Sequence, residues 1–259
     1  MSRFSDAVRL SAGTFSAVPV PAPRRVDRTT AGVAVTIAPL AVLPVGLLVA
    51  ALAWGARELG LAQVVVGALA IGAGAWATRG FHLDGLADTA DALASSYDRE
   101  RALTVARTGD VGPAGAATLV LVLLVQAASA GAVAACWSWG PAAVGVLWCL
   151  ARAGATVGLR RGVPAARQDG MGATFAGSVS PLALAAVWLL VAAAAVAVTG
   201  LTGASMVQGL VTAAATLLVM FAVVAHVVRR LGGIIGDAVG ASVELALAVL
   251  LVGFAAVVA

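Results

Sequence analysis

Three aspartates, Asp84, Asp88 and Asp91, stand within residues 80–92, GFHLDGLADTADA, of a 259-residue chain that is 61% hydrophobic. Their spacing of i, i+4 and i+7 places them on one stripe of a helix. Leu83, Leu86, Ala87, Ala90 and Leu93 take the other side. Stacked carboxylates repel by roughly a few tenths of a kcal/mol per pair in water, and by more near a membrane, where less water screens them. A cation resolves the conflict. Oxygen ligands without cysteines or paired histidines favour Mg²⁺, Mn²⁺ or Ca²⁺ over zinc. Mg²⁺ typically takes one or two carboxylates and completes its shell with water and substrate phosphates. The plainer alternative is a solvated acidic face lying on a membrane. Gly80 and Gly85 favour the first reading, because glycine lets a phosphate or metal approach the backbone. His82 reads as a base, as a partner to the ligands, or as an interfacial histidine.

Further polar segments are weaker taken singly. RTGDVGPAG (107–115) carries Arg107 and Asp110, and RRGVPAARQDGMG (160–172) carries Arg167. GGIIGDAVGASVE (232–244) sets Asp237 between glycines, with Glu244 at i+7 on the same stripe. Each also reads as a capped turn, with Asp237 as a helix N-cap. Together with Arg152 they place arginines and carboxylates around one rim. Such a rim suits a phosphate-bearing substrate held by a metal and by guanidinium forks.

The elements that position these residues are apolar. Mean hydropathy is +1.03 and only 11% of residues are charged, against roughly a quarter in soluble domains. Several runs reach the about 20 residues that a membrane helix needs. The expected spans are 31–54, 63–78, 114–137, 141–158, 181–199, 205–228 and 242–259, the last carrying Glu244 near its start. The expected fold is all-α, a single polytopic membrane bundle of about seven helices with a cytoplasmic, amphipathic acidic helix. Dense Gly and Ala fit close helix packing in lipid. Residues 1–30 lack the apolar core and cleavage site of a signal peptide.

All 16 basic residues are arginine, and the net charge is +4. Their scatter between apolar runs argues against nucleic acid and reports orientation instead. With seven spans, all but Arg57 fall on one side, together with most of the acids, which predicts a cytoplasmic N-terminus and a cytoplasmic site. Trp54, Trp137 and Trp139 lie at the opposite ends, as an interfacial belt would. Cys136 and Cys149 read as small buried hydrophobes.

The run GFHLDGLADTADALASSYDRERAL, followed by DVGPAG, resembles the signature of the cobalamin synthase family, the adenosylcobinamide-GDP ribazoletransferases. FSAVPVP, VPAARQDGMGATF and LGGIIGDAVGASVEL are similar to that family's N-terminal, middle and C-terminal segments, so the resemblance covers nearly the whole chain. The chain departs from the family pattern at Asp110, Ala165 and Ala92. The resemblance implies an Mg²⁺-dependent enzyme of the bacterial inner membrane. Its substrates would be adenosylcobinamide-GDP and α-ribazole or its 5′-phosphate, and its products adenosylcobalamin or its 5′-phosphate and GMP. It implies Asp84, Asp88 and Asp91 as metal ligands, His82, Arg107 and Asp237 as catalytic groups, and Arg152 and Arg167 as binding groups. Its partners would be the two substrates and the bilayer, and a homo-oligomer is compatible with it.

Two rivals fit less well. CDP-alcohol phosphotransferases need an Ala-Arg pair soon after the first Asp-Gly, whereas Asp84-Gly85 is followed by Leu-Ala-Asp. A transporter would place ionisable groups near the membrane midplane, and these spans read as nearly free of charge.

The orientation is testable. A cysteine introduced at Ser95 should react with impermeant reagents only from the cytoplasm, and one at Ser138 only from outside. Labelling at Ser95 from the outer face would reverse the topology.

Overall fold

The computed structural model describes residues 2–256, and the side chains of all of these but residues 170 and 171. The chain opens with α1 (Arg3–Phe15), α2 (Arg28–Thr36), α3 (Ala38–Ala41), α4 (Leu43–Glu58) and α5 (Gln63–Ala77). Next come α6 (Phe81–Ser95), α7 (Arg99–Val105), α8 (Pro113–Cys136) and α9 (Gly140–Leu150). A 3₁₀ turn over Ala151–Ala153 leads to α10 (Gly154–Gly158), α11 (Gly170–Phe175), α12 (Pro181–Thr202), α13 (Met206–Leu231) and α14 (Gly236–Ala255). No strand occurs among the described residues. Isolated bridges at Arg160–Val179 and Ala165–Ile234 tie the 160–180 loop to its neighbours.

This is a multi-pass membrane bundle. Five helical segments are long and apolar enough to cross a bilayer, or six if the bent pair α5–α6 is one span. Leu47, Leu121, Leu189 and Leu218 are 64–71% exposed, a placement that lipid rather than water tolerates. The expected count of about seven is approximate, and the shortfall lies in the run 31–54, which is divided among α2, α3 and α4. Pro39 and Pro44 stand in the first turns of α3 and α4, where a missing N–H is tolerated but an unbroken helix is not.

The central element is α14, which packs against α6, α8, α10 and α13. Small residues set the spacing, as expected. A methyl at Gly67 of α5 would lie 1.8 Å from the Ala127 carbonyl oxygen of α8, and one at Gly131 of α8 would lie 2.0 Å from that of Gln63. The tryptophans meet as expected of a belt: Trp54 and Trp139 stack edge-on with centroids 5.3 Å apart. Beside them Arg57 donates to the Ala134 and Trp137 carbonyls at 3.1 and 2.8 Å, closing the C-terminal end of α8. That end lies about 36 Å along α8 from its N-terminus.

Between α5 and α6 the chain turns by 93°. Arg79 (φ 57°) and Gly80 (φ 68°) are both left-handed there. Glycine adopts this conformation freely, while arginine does so at a cost of about 1 kcal/mol. The bend sends α6 across the end of the bundle and carries the aspartates with it.

The spans are less free of charge than the sequence implied. Arg152 is 1% exposed and Glu244 is 7% exposed, both within helical segments of the bundle. Gln126 of α8 donates to the Glu244 carboxylate and to its carbonyl oxygen, each at 2.9 Å. The Arg152 guanidinium covers the Trp148 ring at 3.2 Å and donates to the Trp148 carbonyl. Buried charges survive in lipid when they face one another and are hydrogen-bonded.

The packing makes a prediction about stability. Gly67→Val should cost about 1–3 kcal/mol by overpacking and lower the melting temperature in detergent. Gly72→Val, on an open face of the same helix, should melt close to wild type. Equal melting of the two would contradict the α5–α8 contact.

Candidate active site

The expected acidic stripe exists, but its members do different things. Asp84 is exposed, Asp88 is half-buried, and Asp91 is only 7% exposed. Asp91 points at the start of α8. Gly112 N–H donates to its Oδ2 at 2.7 Å and Gly115 N–H to its Oδ1 at 2.8 Å. A carboxylate at a helix N-terminus is held by free N–H groups and by the helix dipole. A methyl at either glycine would lie within 2.5 Å of that carboxylate. Asp91, expected as a third metal ligand, is through these two bonds also an anchor joining α6 to α8. The spacing of Gly112 and Gly115 just ahead of an apolar run was the available sign, but the partner lay 21 and 24 residues upstream.

What Asp84 and Asp88 meet instead is α14. A methyl at Gly85 would lie 2.6 Å from the Asp237 carbonyl oxygen, and one at Gly240 would lie 3.2 Å from the His82 backbone. Two glycines thus let α6 and α14 cross almost backbone to backbone, which sets Asp237 beside the stripe. Asp237 lies two residues past the N-cap, Ile235, and no side-chain capping bond closes this helix. The N-cap reading of Asp237 fails, and its carboxylate remains available for chemistry.

Charge accumulates here. Burial, and then the fields of Asp84, Asp237 and Asp91, push the Asp88 carboxyl up to about 6. Among the described residues no three His, Cys, Asp or Glu side chains enclose an ion. The donor set fits a hard cation held by one or two carboxylates and completed by substrate oxygens, as Mg²⁺ prefers, rather than an all-protein cage.

Next to Asp237 opens a cavity of about 300 Å³. Its polar lining includes His82, Arg107, Arg167, Asp169 and Asp237, and its apolar wall includes Phe15, Phe175 and Ile234. Arg107 pairs with Asp169, with Nη2 at 3.0 and 2.8 Å from the two carboxylate oxygens. Arg167 donates to the Leu103 carbonyl and lies within electrostatic reach of Asp237. His82 is 2% exposed, faces Phe15 at 5.7 Å between ring centroids, and neither of its nitrogens has a partner. Burial, aided by the nearby Arg152 charge, lowers its pKa to about 3 and keeps the imidazole neutral.

The structure thus brings His82, Arg107, Arg167 and Asp237 to one cavity beside Asp84 and Asp88. It does not bring Arg152, which lies behind them in the bundle with Glu244 within electrostatic reach. Arg152 follows an apolar run and precedes a loop, so the sequence could not separate a rim position from a break inside a helical span. Other arginines hold the frame. Arg99 bonds the Ala166 carbonyl at 3.0 Å, and Arg230 bonds those of Leu93 and Ser96 at 3.0 and 2.7 Å, closing the end of α6.

Comparison with known proteins places the chain in a family. A family profile described as cobalamin-5-phosphate synthase matches residues 7–255. An adenosylcobinamide-GDP ribazoletransferase of Nocardioides sp. is 45% identical over 251 residues, covering 97% of this chain and 99% of the relative. Proteins of the same name from Frankia casuarinae and Roseiflexus sp. are 32% and 35% identical. They cover 89% and 80% of this chain and 87% and 74% of their own lengths. No solved structure matches. From signature to C-terminal helix, the chain belongs to the cobalamin-5-phosphate synthase family.

Proposed function

We propose that this chain transfers the cobinamide phosphoryl group of adenosylcobinamide-GDP to α-ribazole or its 5′-phosphate. The products are adenosylcobalamin or its 5′-phosphate and GMP. The names of its relatives support this reading. The structural observation that carries it is the meeting of Asp84 and Asp88 on α6 with Asp237 on α14, beside a cavity lined by Arg107 and Arg167. The site faces the cytoplasm of a bacterial inner membrane, following the arginine asymmetry.

A ribose hydroxyl of the acceptor attacks the phosphorus on the cobinamide arm. A new P–O bond forms, and the bond to the bridging oxygen of GMP breaks, that oxygen leaving with the electron pair. Such a displacement depends on alignment and on neutralising phosphoryl oxygens. Asp84 and Asp88 would hold Mg²⁺, which would supply positive charge to those oxygens when bound. Arg107 and Arg167 hold the remaining phosphoryl oxygens with guanidinium donors. Asp237, free of any capping bond, accepts the hydroxyl proton. His82 offers a neutral nitrogen to orient the acceptor. Burial among Phe15, Phe175 and Ile234 keeps bulk water from competing as the nucleophile.

The test is reconstitution in lipid with both substrates and Mg²⁺, following corrinoid product and GMP. Both should form, and chelation should stop them reversibly. Asp84→Asn, Asp88→Asn and Asp237→Asn should each lower turnover by about a hundredfold or more while melting as wild type, as expected when a group acts on the transition state. Absence of product from the wild-type protein would sink the assignment. Full turnover in Asp84→Asn and Asp88→Asn would reduce the stripe to a solvated face.

Asp91→Asn should behave differently. Its amide NH₂ would confront one of the two backbone N–H donors, leaving it unsatisfied at a cost of about 1–3 kcal/mol. A clear drop in melting temperature is expected. Wild-type melting with lost turnover would return Asp91 to the chemistry.

A further inference from the structure

On the other side of α11 lies a second groove, of about 920 Å³, between α2, the 161–168 loop and the start of α12. Ala173 of α11 lines both this groove and the smaller cavity. The loop just before α11 divides in the same way, with Arg167 on the cavity and Gln168 on the groove. The two spaces are neighbours separated by one thin wall.

Their charges differ. The cavity holds both carboxylates and guanidiniums, whereas the groove has Arg28 and Arg161 and no acidic lining residue. The two acids adjacent in sequence to the lining are both occupied: Asp27 caps α2, accepting from Thr30 N–H and Oγ1 at 2.8 and 2.9 Å, and Asp169 pairs with Arg107 on the cavity side. The ion pairs found among the described residues involve Arg57 and Arg107. Arg99, Arg160, Arg167 and Arg230 are pinned to backbone carbonyls. Arg28 and Arg161 have neither kind of partner among the described residues, and both are exposed. Ser178, also on the groove, has a hydroxyl without a hydrogen-bond partner. Its backbone is pressed onto α2 so closely that a methyl at Gly32 would lie 2.3 Å from the Ser178 carbonyl oxygen. The wall is therefore built rather than loose.

We propose that this groove receives the nucleotide half of adenosylcobinamide-GDP and is the site from which GMP departs. The inference rests on the transfer reaction proposed above. A pyrophosphate joins two phosphorus atoms, one to be transferred and one to leave. With the first against Asp84, Asp88 and Arg167, the second passes over residues 167–168 to Arg161 and Arg28, and the nucleoside follows into the groove. Guanidinium pairs free of competing carboxylates select phosphate. Ligand cavities run from about 300 to 1,000 Å³, and both spaces lie in that range. The phenylalanine-walled cavity suits the acceptor beside Asp237, and the groove has room and positive charge for a nucleotide.

An anionic lipid headgroup offers the same phosphate chemistry, and two arginines near a membrane surface also attract it. The experiment separates the two sources. The full chain is placed in nanodiscs of phosphatidylcholine alone or with phosphatidylglycerol, and GMP binding is measured by equilibrium dialysis. GMP should bind in phosphatidylcholine alone. Arg28→Gln and Arg161→Gln should each weaken it about tenfold or more with unchanged melting temperature. In turnover, both should raise KM for adenosylcobinamide-GDP and leave KM for α-ribazole unchanged. Unaltered GMP affinity in both variants overturns the proposal. So does a loss confined to phosphatidylglycerol retention, or a rise in KM for α-ribazole alone. These outcomes are distinct from failure of the reaction itself, which would show as a wild-type protein that forms no corrinoid product.

Discussion

The close crossing of α6 over α14 is the constraint on which the site depends. Gly85 meets the backbone of Asp237 at a distance that leaves no room for a methyl, and Gly240 meets that of His82 at one where a methyl would be tight. In lipid there is little hydrophobic gain from bringing two helices together, so association relies on close packing of small residues. Here that packing has a chemical consequence. It presses the carboxylates of two helices toward each other, and Asp88 feels Asp84, Asp237 and Asp91 at once. A site that repels itself when empty is one that a cation and an anionic substrate together can stabilise.

Around that crossing, polar groups serve the frame wherever they are not needed for chemistry. Asp91 ties α6 to α8 through Gly112 and Gly115, and Arg230 closes the far end of α6. Gln126 and Glu244 join α8 to α14 inside the bundle. Each of these contacts fixes an element that carries a reactive group. The left-handed pair Arg79–Gly80 supplies the bend that lets α6 lie across the bundle end. The position of the candidate site is thus set by contacts made away from its cavity.

The helical bundle was legible because apolar runs of membrane length are strong signals, and most of the expected spans match a helix closely. The first span was misread because hydropathy ignores Pro39 and Pro44, which cost the chain its hydrogen bonds without lowering its oiliness. The stripe of Asp84, Asp88 and Asp91 was legible from helical period. Its division of labour was not, because period fixes a face of α6 and says nothing of what α8 and α14 bring to that face. Arg152 escaped for the same reason: an arginine between alanines looks alike at a rim and within a buried break. The cationic groove of Arg28 and Arg161 joins segments more than a hundred residues apart, and no local pattern marks it.

α6 and α14 together present one anionic face, with Asp88 in the field of Asp84 and Asp237. Manganese binding followed by electron paramagnetic resonance tests it without relying on turnover. The account predicts saturable Mn²⁺ binding that Mg²⁺ displaces, weakened about tenfold or more by Asp84→Asn on α6 and also by Asp237→Asn on α14, since each removes charge from the same field. Mn²⁺ affinity unchanged in Asp237→Asn, with Asp84→Asn impaired, would place the cation on α6 alone and contradict the shared site.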